Sequence, residues 1–242
     1  MSCQLFWKHR PISQKKTIKI IDPLQNTRIG IATTYGKPYF KFSKSLKSLN
    51  LKFDSILPEQ ISTYEGNLIL TTKEETPEFT TKTILHEDIL EKHPTIIRGI
   101  IIQKLELGFE QDDLVIGVDP GSRIGISIFF CGKEIESSLY NSVDDLVSHV
   151  INILAELRAK RKLVRIGNGN MEVAKKISNL LNLKFCSSFE LEFVDERKTS
   201  LKIKNFNQRG KRDMLSARYI SQREGYTHFV LPLSITGWKF SS

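Results

Sequence analysis

The chain of 242 residues has little cysteine, and the three residues present, Cys3, Cys131 and Cys186, are widely separated. An odd and scattered set fits neither a disulfide framework nor a zinc site, and it indicates a reducing compartment. No apolar run reaches the roughly 20 residues needed to span a bilayer. Residues 1–10 lack the apolar core of a signal peptide. The sequence therefore predicts a soluble, cytoplasmic protein without a membrane partner.

Acidic residues are in deficit, because 27 Asp and Glu residues face 36 Lys and Arg residues and give a formal charge of +9. Such an excess of positive charge favours a polyanionic partner, with nucleic acid first and an anionic membrane second, although a lysine-rich soluble enzyme would also carry it. The apolar fraction of 40% is adequate for a hydrophobic core. Charge alone therefore favours nucleic acid without establishing it.

A polar segment at 108–113 separates two regions of periodic hydrophobicity. It predicts a small α/β accessory domain at residues 1–112 and a second α/β domain at residues 113–242. In the first region the patterns predict strands at 28–34, 53–57 and 67–72 and helices at 40–49, 84–92 and 94–107. No catalytic group is predicted there.

Two histidines in the first region resemble metal ligands. His86 and His93 are both in or next to the helix predicted at 84–92, where they would share one face, and acidic residues lie nearby. Pro94 should end that helix. A solvated polar helix end is therefore the preferred interpretation of this segment.

The second region begins with two apolar runs, 114–119 and 124–130, joined by a Pro-Gly turn that predicts a hairpin. Further strands are predicted at 133–140, 162–166 and 191–194, and helices at 142–160, 171–181 and 211–222. The first three strands should be antiparallel, whereas strands separated by helices can be parallel through crossover connections. The pattern predicts a mixed five-stranded sheet flanked by helices.

Three acids occupy special places in this order. Asp119 ends the first strand, Glu196 follows Asp195 directly after the fifth, and Asp213 lies in the first turn of the last helix. Carboxyl ends of parallel strands share one sheet edge, and clustered carboxylates repel one another unless cations neutralise them. Oxygen ligands suit Mg²⁺ or Mn²⁺, and two such ions can act on a phosphodiester.

Each acid also has a simpler explanation. Asp119 is a common turn residue, and Asp213 would interact favourably with a helix dipole. Asp195 or Glu196 could form a surface ion pair with a neighbouring cation. Their order along the chain makes the joint metal-binding interpretation the preferred one.

Three segments carry a resemblance to a known family, and they are residues 116–126 (IGVDPGSRIGI), 193–200 (FVDERKTS) and 211–218 (KRDMLSAR). Over about residues 113–225 the chain resembles the YqgF/RuvC branch of the ribonuclease H-like nucleases. The resemblance implies a ribonuclease H-like fold and catalytic metal ligands at Asp119, Glu196 and Asp213, with Mg²⁺ or Mn²⁺, in two copies, as cofactor. It also implies action on Holliday junctions or precursor RNA, and it leaves a homodimer open.

The chain departs from the RuvC pattern at one position. RuvC-type members carry a Glu at the end of the fourth strand, whereas this strand ends in the Gly-Asn-Gly-Asn string at 167–170. The YqgF-type pattern instead places its Glu after the fifth strand, where Glu196 stands. Asn168 is then a turn residue, with a weaker oxygen ligand or a phosphate contact as alternatives.

Basic residues are concentrated between the last two proposed ligands, and no acid interrupts them. They are expected to contact nucleic-acid phosphates, and with one more cation near the hairpin turn the set is Arg123, Arg197, Lys198, Lys202, Lys204, Arg209, Lys211 and Arg212. Phe206 lies within this run, either stacked on a base or packed on the core. A solvated loop is the alternative for the whole segment.

The favoured function is a metal-dependent endonuclease acting on structured nucleic acid. The alternative is a non-catalytic nucleic-acid-binding module with the same fold, against which the presence of all three acids argues. An ATP-binding domain of the actin and sugar-kinase type would need a second Asp-x-Gly phosphate loop, and the Asp22-Pro-Leu string is not one.

Overall fold

The computed structural model describes residues 28–105, 113–184, 189–196 and 209–227. In this part of the chain, two sheets with flanking helices form an α/β structure. A continuous apolar core includes residues from both sheets. The predicted division at residue 112 falls in the segment 106–112, outside the described residues. None of the described helices combines the length and apolar character needed to cross a membrane.

The N-terminal sheet is parallel, with its four strands in the order β2-β1-β3-β4. These strands are β1 Ile29–Ala32, β2 Asp54–Ile56, β3 Leu68–Thr71 and β4 Thr83–Leu85, and the helices are α1 Gly36–Ser48 and α2 Pro94–Leu105. All four residues of β1 and all four of β3 are buried. This is why these two apolar runs form the centre of the sheet.

The helix predicted at 84–92 is wrong. The segment instead contains β4, which pairs with β3 through Leu68 and Thr83, followed by a 3₁₀ turn at Glu87–Glu91. Tertiary pairing with β3 prevails over the local spacing of apolar residues, because β-branched side chains fit a pleated surface well. His86 has extended backbone between the two elements, so the solvated helix end expected for the two histidines is not found.

The C-terminal sheet is mixed, with its strands in the order β10-β9-β8-β5-β6-β7. Its strands are β5 Asp113–Asp119, β6 Ile124–Phe130, β7 Lys133–Tyr140, β8 Arg161–Gly167, β9 Glu190–Val194 and β10 Tyr226–Thr227. Strand β5 is antiparallel to β6 and parallel to β8, which is parallel to β9. The five predicted strands and their mixed directions are confirmed, and the two-residue β10 is an addition.

Three helices flank this sheet: α3 Val143–Glu156, α4 Met171–Lys184 and α5 Arg209–Ser221. Helix α3 begins after Ser142, whose side chain accepts a hydrogen bond from the Asp145 N–H at 3.3 Å, as the sequence predicts. It ends before the predicted residue 160, because Leu157 is extended and fully buried.

Two glycines let α5 lie close against the sheet. A Cβ on Gly117 would collide with the Ala217 carbonyl oxygen, and a Cβ on Gly125 would collide with the Asp213 carbonyl oxygen. The absence of side chains on adjacent strands therefore sets how closely the helix approaches. This close approach brings the start of α5 to the end of β5.

Strand β7 contains a β-bulge that separates two acids. Its register with β6 shifts where Ile128 pairs with Glu136 and Phe129 pairs with Glu134. Without a bulge, residues two apart on a strand face the same side. Here Glu134 lies on the α5 face, where Arg218 Nη1 approaches its Oε2 at 3.2 Å, whereas Glu136 lies on the opposite face.

Candidate carboxylate metal site

Asp119 is the last residue of β5 and is half-buried. It pairs with Gly125 and therefore lies on the sheet face that α5 covers. Burial, followed by the charges of Glu196 and Asp213, raises the pKa of Asp119 to about 7, while a hydrogen bond from Ser216 and the charge of Arg212 oppose the shift. The Asp119 carboxylate is thus partly desolvated and is repelled by the charges of Glu196 and Asp213.

Glu196 is held by the turn that follows β8. Its backbone N–H donates to Asn168 Oδ1 at 3.1 Å, and the Asn168 N–H donates to the Val194 carbonyl at 3.0 Å. The Gly169 N–H donates to Glu196 Oε1 at 2.9 Å. These contacts fix both the backbone and the carboxylate of Glu196 against the end of the neighbouring strand.

The glycines of this turn leave room for the Glu196 side chain. A Cβ on Gly167 or on Gly169 would collide with the Glu196 carboxylate. The space beside the end of β8 is therefore occupied by the Glu196 side chain. Asn168 contributes a hydrogen bond that positions the Glu196 backbone.

Asp213 lies in α5 and its side chain is 15% exposed. Arg123 Nη2 donates to its Oδ2 at 3.1 Å, and Arg212 Nε lies 3.7 Å from its Oδ1. Gly125 lets the Asp213 backbone approach the sheet. Two arginines therefore partly neutralise this acid from the solvent side.

Three carboxylates from three elements lie near the end of β5, close enough for the charges of Glu196 and Asp213 to act on Asp119, although their oxygens do not all lie within 4.8 Å of one another. An array of mutually repelling oxygen donors, one of which has its pKa raised towards neutrality, suits a hard divalent cation. By their chemistry, Asp119, Glu196 and Asp213 could hold Mg²⁺ or Mn²⁺.

The predicted phosphate contacts are placed only in part. Arg123 and Arg212 contact Asp213, and Lys211 is exposed at the start of α5. Arg209 begins α5, but its side chain lies outside the description. The segment 197–208 is also outside the described residues. It contains the other predicted contacts, Arg197, Lys198, Lys202, Lys204 and Phe206.

The structure also brings together a set of residues that the sequence did not predict. His93 lies near Glu136 and His149, with one ligand atom from each residue within 4.8 Å of the others. His86, which the sequence placed beside His93, instead contacts the Thr76 hydroxyl at 3.0 Å. No sequence motif links these three positions, because they meet through packing between α2, α3 and the bulged strand β7.

A scan against protein-family models finds none that matches this chain, and a search of curated proteins finds no significant match.

Proposed function

We propose that the protein is a metal-dependent endonuclease that hydrolyses phosphodiester bonds in structured nucleic acid, either junction DNA or precursor RNA. The observation that carries this proposal is the placement of Asp119 near Glu196 and Asp213, where burial and then the charges of both other acids raise the pKa of Asp119. A purely structural role does not call for three acids there, because mutual repulsion costs stability.

The three acids belong to different parts of the fold and would together hold the cations. Two Mg²⁺ or Mn²⁺ ions, when bound, supply activation of water and stabilisation of the leaving oxygen. Asn168 keeps Glu196 in position through its hydrogen bond to the Glu196 backbone. Arg123 keeps Asp213 in position through a 3.1 Å hydrogen bond and is close enough to the site to contact a phosphate.

The class of substrate rests on charge and on the resemblance to YqgF/RuvC-type nucleases. The chain carries a formal charge of +9, and Lys211 and Arg212 are exposed next to the proposed site. Phosphate contacts by such residues position a nucleic acid without reading its sequence. We place the activity in the cytoplasm because the cysteine pattern predicts a reducing compartment, and a homodimer fits the resemblance to enzymes that cut junctions.

The test is a cleavage panel of four-way junction, flap, duplex and structured RNA with Mg²⁺, Mn²⁺ or EDTA. Wild-type protein should cut at least one structured substrate only when the cation is present. Asp119→Asn should reduce cleavage to background. The matched control is Asp144→Asn, because the Asp144 side chain is 64% exposed on α3 and should leave activity unchanged.

Two results would contradict the proposal: cleavage in EDTA, or full activity in Asp119→Asn. Absence of cleavage together with salt-sensitive binding to these substrates would favour the non-catalytic binding module. A protein that neither cuts nor binds nucleic acid would refute both.

A further inference from the structure

The cluster of His93, Glu136 and His149 joins the two halves of the chain. His93 directly precedes α2, and its carbonyl accepts the Ile97 N–H at 3.0 Å. The Thr95 N–H donates a long hydrogen bond of 3.3 Å to His93 Nδ1, which fixes the ring at the start of the helix. Glu136 belongs to β7 and His149 to α3. Three rigid elements therefore present the three side chains.

The carboxylate of this cluster is held by hydroxyl groups. Thr95 Oγ1 donates to Glu136 Oε2 and Ser138 Oγ donates to Glu136 Oε1, each at 2.5 Å. Burial alone would raise the pKa of Glu136, but hydrogen bonds from His149, Ser138 and Thr95 lower it. An oriented, ionised carboxylate with outer hydrogen-bond donors is the arrangement that metal ligands share.

The two imidazole rings are also fixed. The ring centroids of His93 and His149 lie 4.6 Å apart, edge to face, and Tyr140 stacks on His149 at 5.5 Å. His149 and Glu136 are 8% and 11% exposed, whereas His93 lies at the surface. Burial, followed by the charge of His149, lowers the pKa of His93, and Glu136 opposes this shift. The cluster is thus enclosed on one side and open to solvent on the other.

The cluster lies on the opposite face of the C-terminal sheet from the carboxylate site. Asp119 pairs with Gly125 on the α5 face, whereas Glu136 pairs with Ile128 on the α3 face. The bulge in β7 places Glu136 there, away from its neighbour Glu134. Binding of an ion at this cluster should therefore not depend on the proposed nuclease centre.

We propose that His93, Glu136 and His149 form a binding site for a transition-metal divalent cation, with Zn²⁺ as the best fit. Two imidazoles and one carboxylate match the ligand preference of Zn²⁺, whereas Mg²⁺ prefers oxygen ligands alone. Tetrahedral ligands about 2 Å from Zn²⁺ lie roughly 3.3 Å from one another. The ligand atoms here already lie within 4.8 Å, so small side-chain movements suffice.

The cation would replace the proton between His149 Nε2 and Glu136 Oε2, which are 2.7 Å apart. The exposed side of His93 leaves a fourth position for water. The cation would connect the start of α2 to β7 and α3, so its effect would be to hold the N-terminal sheet unit against the C-terminal one. Such a site links metal binding to the stability of the folded chain.

The test uses the full-length chain after removal of metals. Wild-type protein should bind one Zn²⁺ tightly in a titration competed by a chromophoric chelator, and Co²⁺ should produce the visible absorption bands of a tetrahedral imidazole site. His93→Gln should lose the Co²⁺ bands and the tight Zn²⁺ binding. The matched control is His86→Gln, because His86 contacts Thr76 outside the cluster and should behave as wild type.

A second variant keeps the proposal testable if His93→Gln fails to fold. Thr95→Val removes a donor to Glu136 but keeps all three ligands, and it should weaken Zn²⁺ binding by about 10- to 100-fold. Asp119→Asn should leave Zn²⁺ binding and the Co²⁺ spectrum unchanged. Absence of tight Zn²⁺ binding in the wild type would overturn the proposal. Equal binding in folded His93→Gln, or loss of the Co²⁺ bands in Asp119→Asn, would also overturn it.

Discussion

Gly169 donates its backbone N–H to the Glu196 carboxylate at 2.9 Å, so the turn after β8 holds an acid that the chain supplies from the turn after β9. Gly167 completes the arrangement, because a side chain there would occupy the space of that carboxylate. The orientation of Glu196 therefore depends on residues that have no charge of their own.

Gly167→Ala should displace Glu196 and weaken Mn²⁺ binding at the carboxylate site. The added methyl group collides with the carboxylate, and a displaced ligand cannot complete the site. Isothermal titration with Mn²⁺ measures this directly, and the expected loss in affinity is at least tenfold. Gly36→Ala is the matched control, because no atom lies within 4 Å of a Cβ built there. Equal Mn²⁺ affinity in Gly167→Ala and wild type would contradict this account of the glycine.

The stability of the cation-free protein should fall as the pH rises from about 4 to about 7. The pKa of Asp119 is raised from 3.8 to about 7 in the folded chain. Between these values the folded state binds more protons than the unfolded state, so deprotonation favours unfolding. Asp119→Asn should therefore be more stable than wild type at pH 8 by on the order of 2 kcal/mol and equally stable near pH 4. Urea unfolding in EDTA at both pH values tests this.

Asp144→Asn provides the comparison for that pH series, because Asp144 is exposed and is not among the groups that shift the pKa of Asp119. Its stability should follow the wild-type curve at both pH values. If Asp119→Asn instead follows that curve as well, Asp119 does not experience the burial and the repulsion that raise its pKa.

Mg²⁺ or Mn²⁺ should stabilise the wild-type chain at pH 7.5, because a cation relieves the repulsion among the three acids. At a hundredfold excess over its dissociation constant a ligand adds about 2.7 kcal/mol to the free energy of unfolding. Thermal unfolding with and without the ion measures the gain. Asp213→Asn should show a much smaller gain, and a gain equal to that of wild type would place the cation elsewhere.

Two ion pairs near β9 should differ sharply in their contributions to stability. Arg165 and Glu192 are 13% and 10% exposed, with Nε and Oε2 2.7 Å apart, and Arg165 also donates to the Ser221 carbonyl. Arg165→Ala removes the close cation from a buried carboxylate, which keeps only the Gly225 N–H at 3.2 Å and Arg161 Nη2 at 3.9 Å, and should cost about 3 kcal/mol. Arg161→Ala breaks a pair that is 44% and 48% exposed and should cost less than about 1 kcal/mol. Similar losses in urea unfolding would contradict the comparison.

The strand directions of the second region could be predicted from sequence because simple rules govern them. A Pro-Gly turn defines the β5–β6 hairpin, and strands separated by helices can run parallel through crossover connections. These rules bring residues at the ends of β5 and β9 to the same edge. The close approach of Asp213 to the sheet was harder to predict from the sequence, because it depends on Gly117 and Gly125 together.

Other features depend on contacts that local patterns do not encode. Strand β4 was predicted as part of a helix, because its short apolar run fits both the helical and the strand period. Pairing with β3 decides between the two. The His93, Glu136 and His149 cluster requires a bulge and the packing of α2 against α3. Neither the bulge nor this packing produces a periodic pattern in the sequence, so the cluster could not be predicted from it.

The extra residue in β7 has a consequence for how the molecule can change. Because Ile135 is the extra residue, its deletion would leave Glu134 and Glu136 as direct neighbours, which still face opposite sides of a regular strand. A single-residue deletion there should therefore keep the histidine cluster and the Arg218 contact on separate faces. Substitutions on either face can likewise accumulate separately, so one strand lets two chemistries evolve independently within a single sheet.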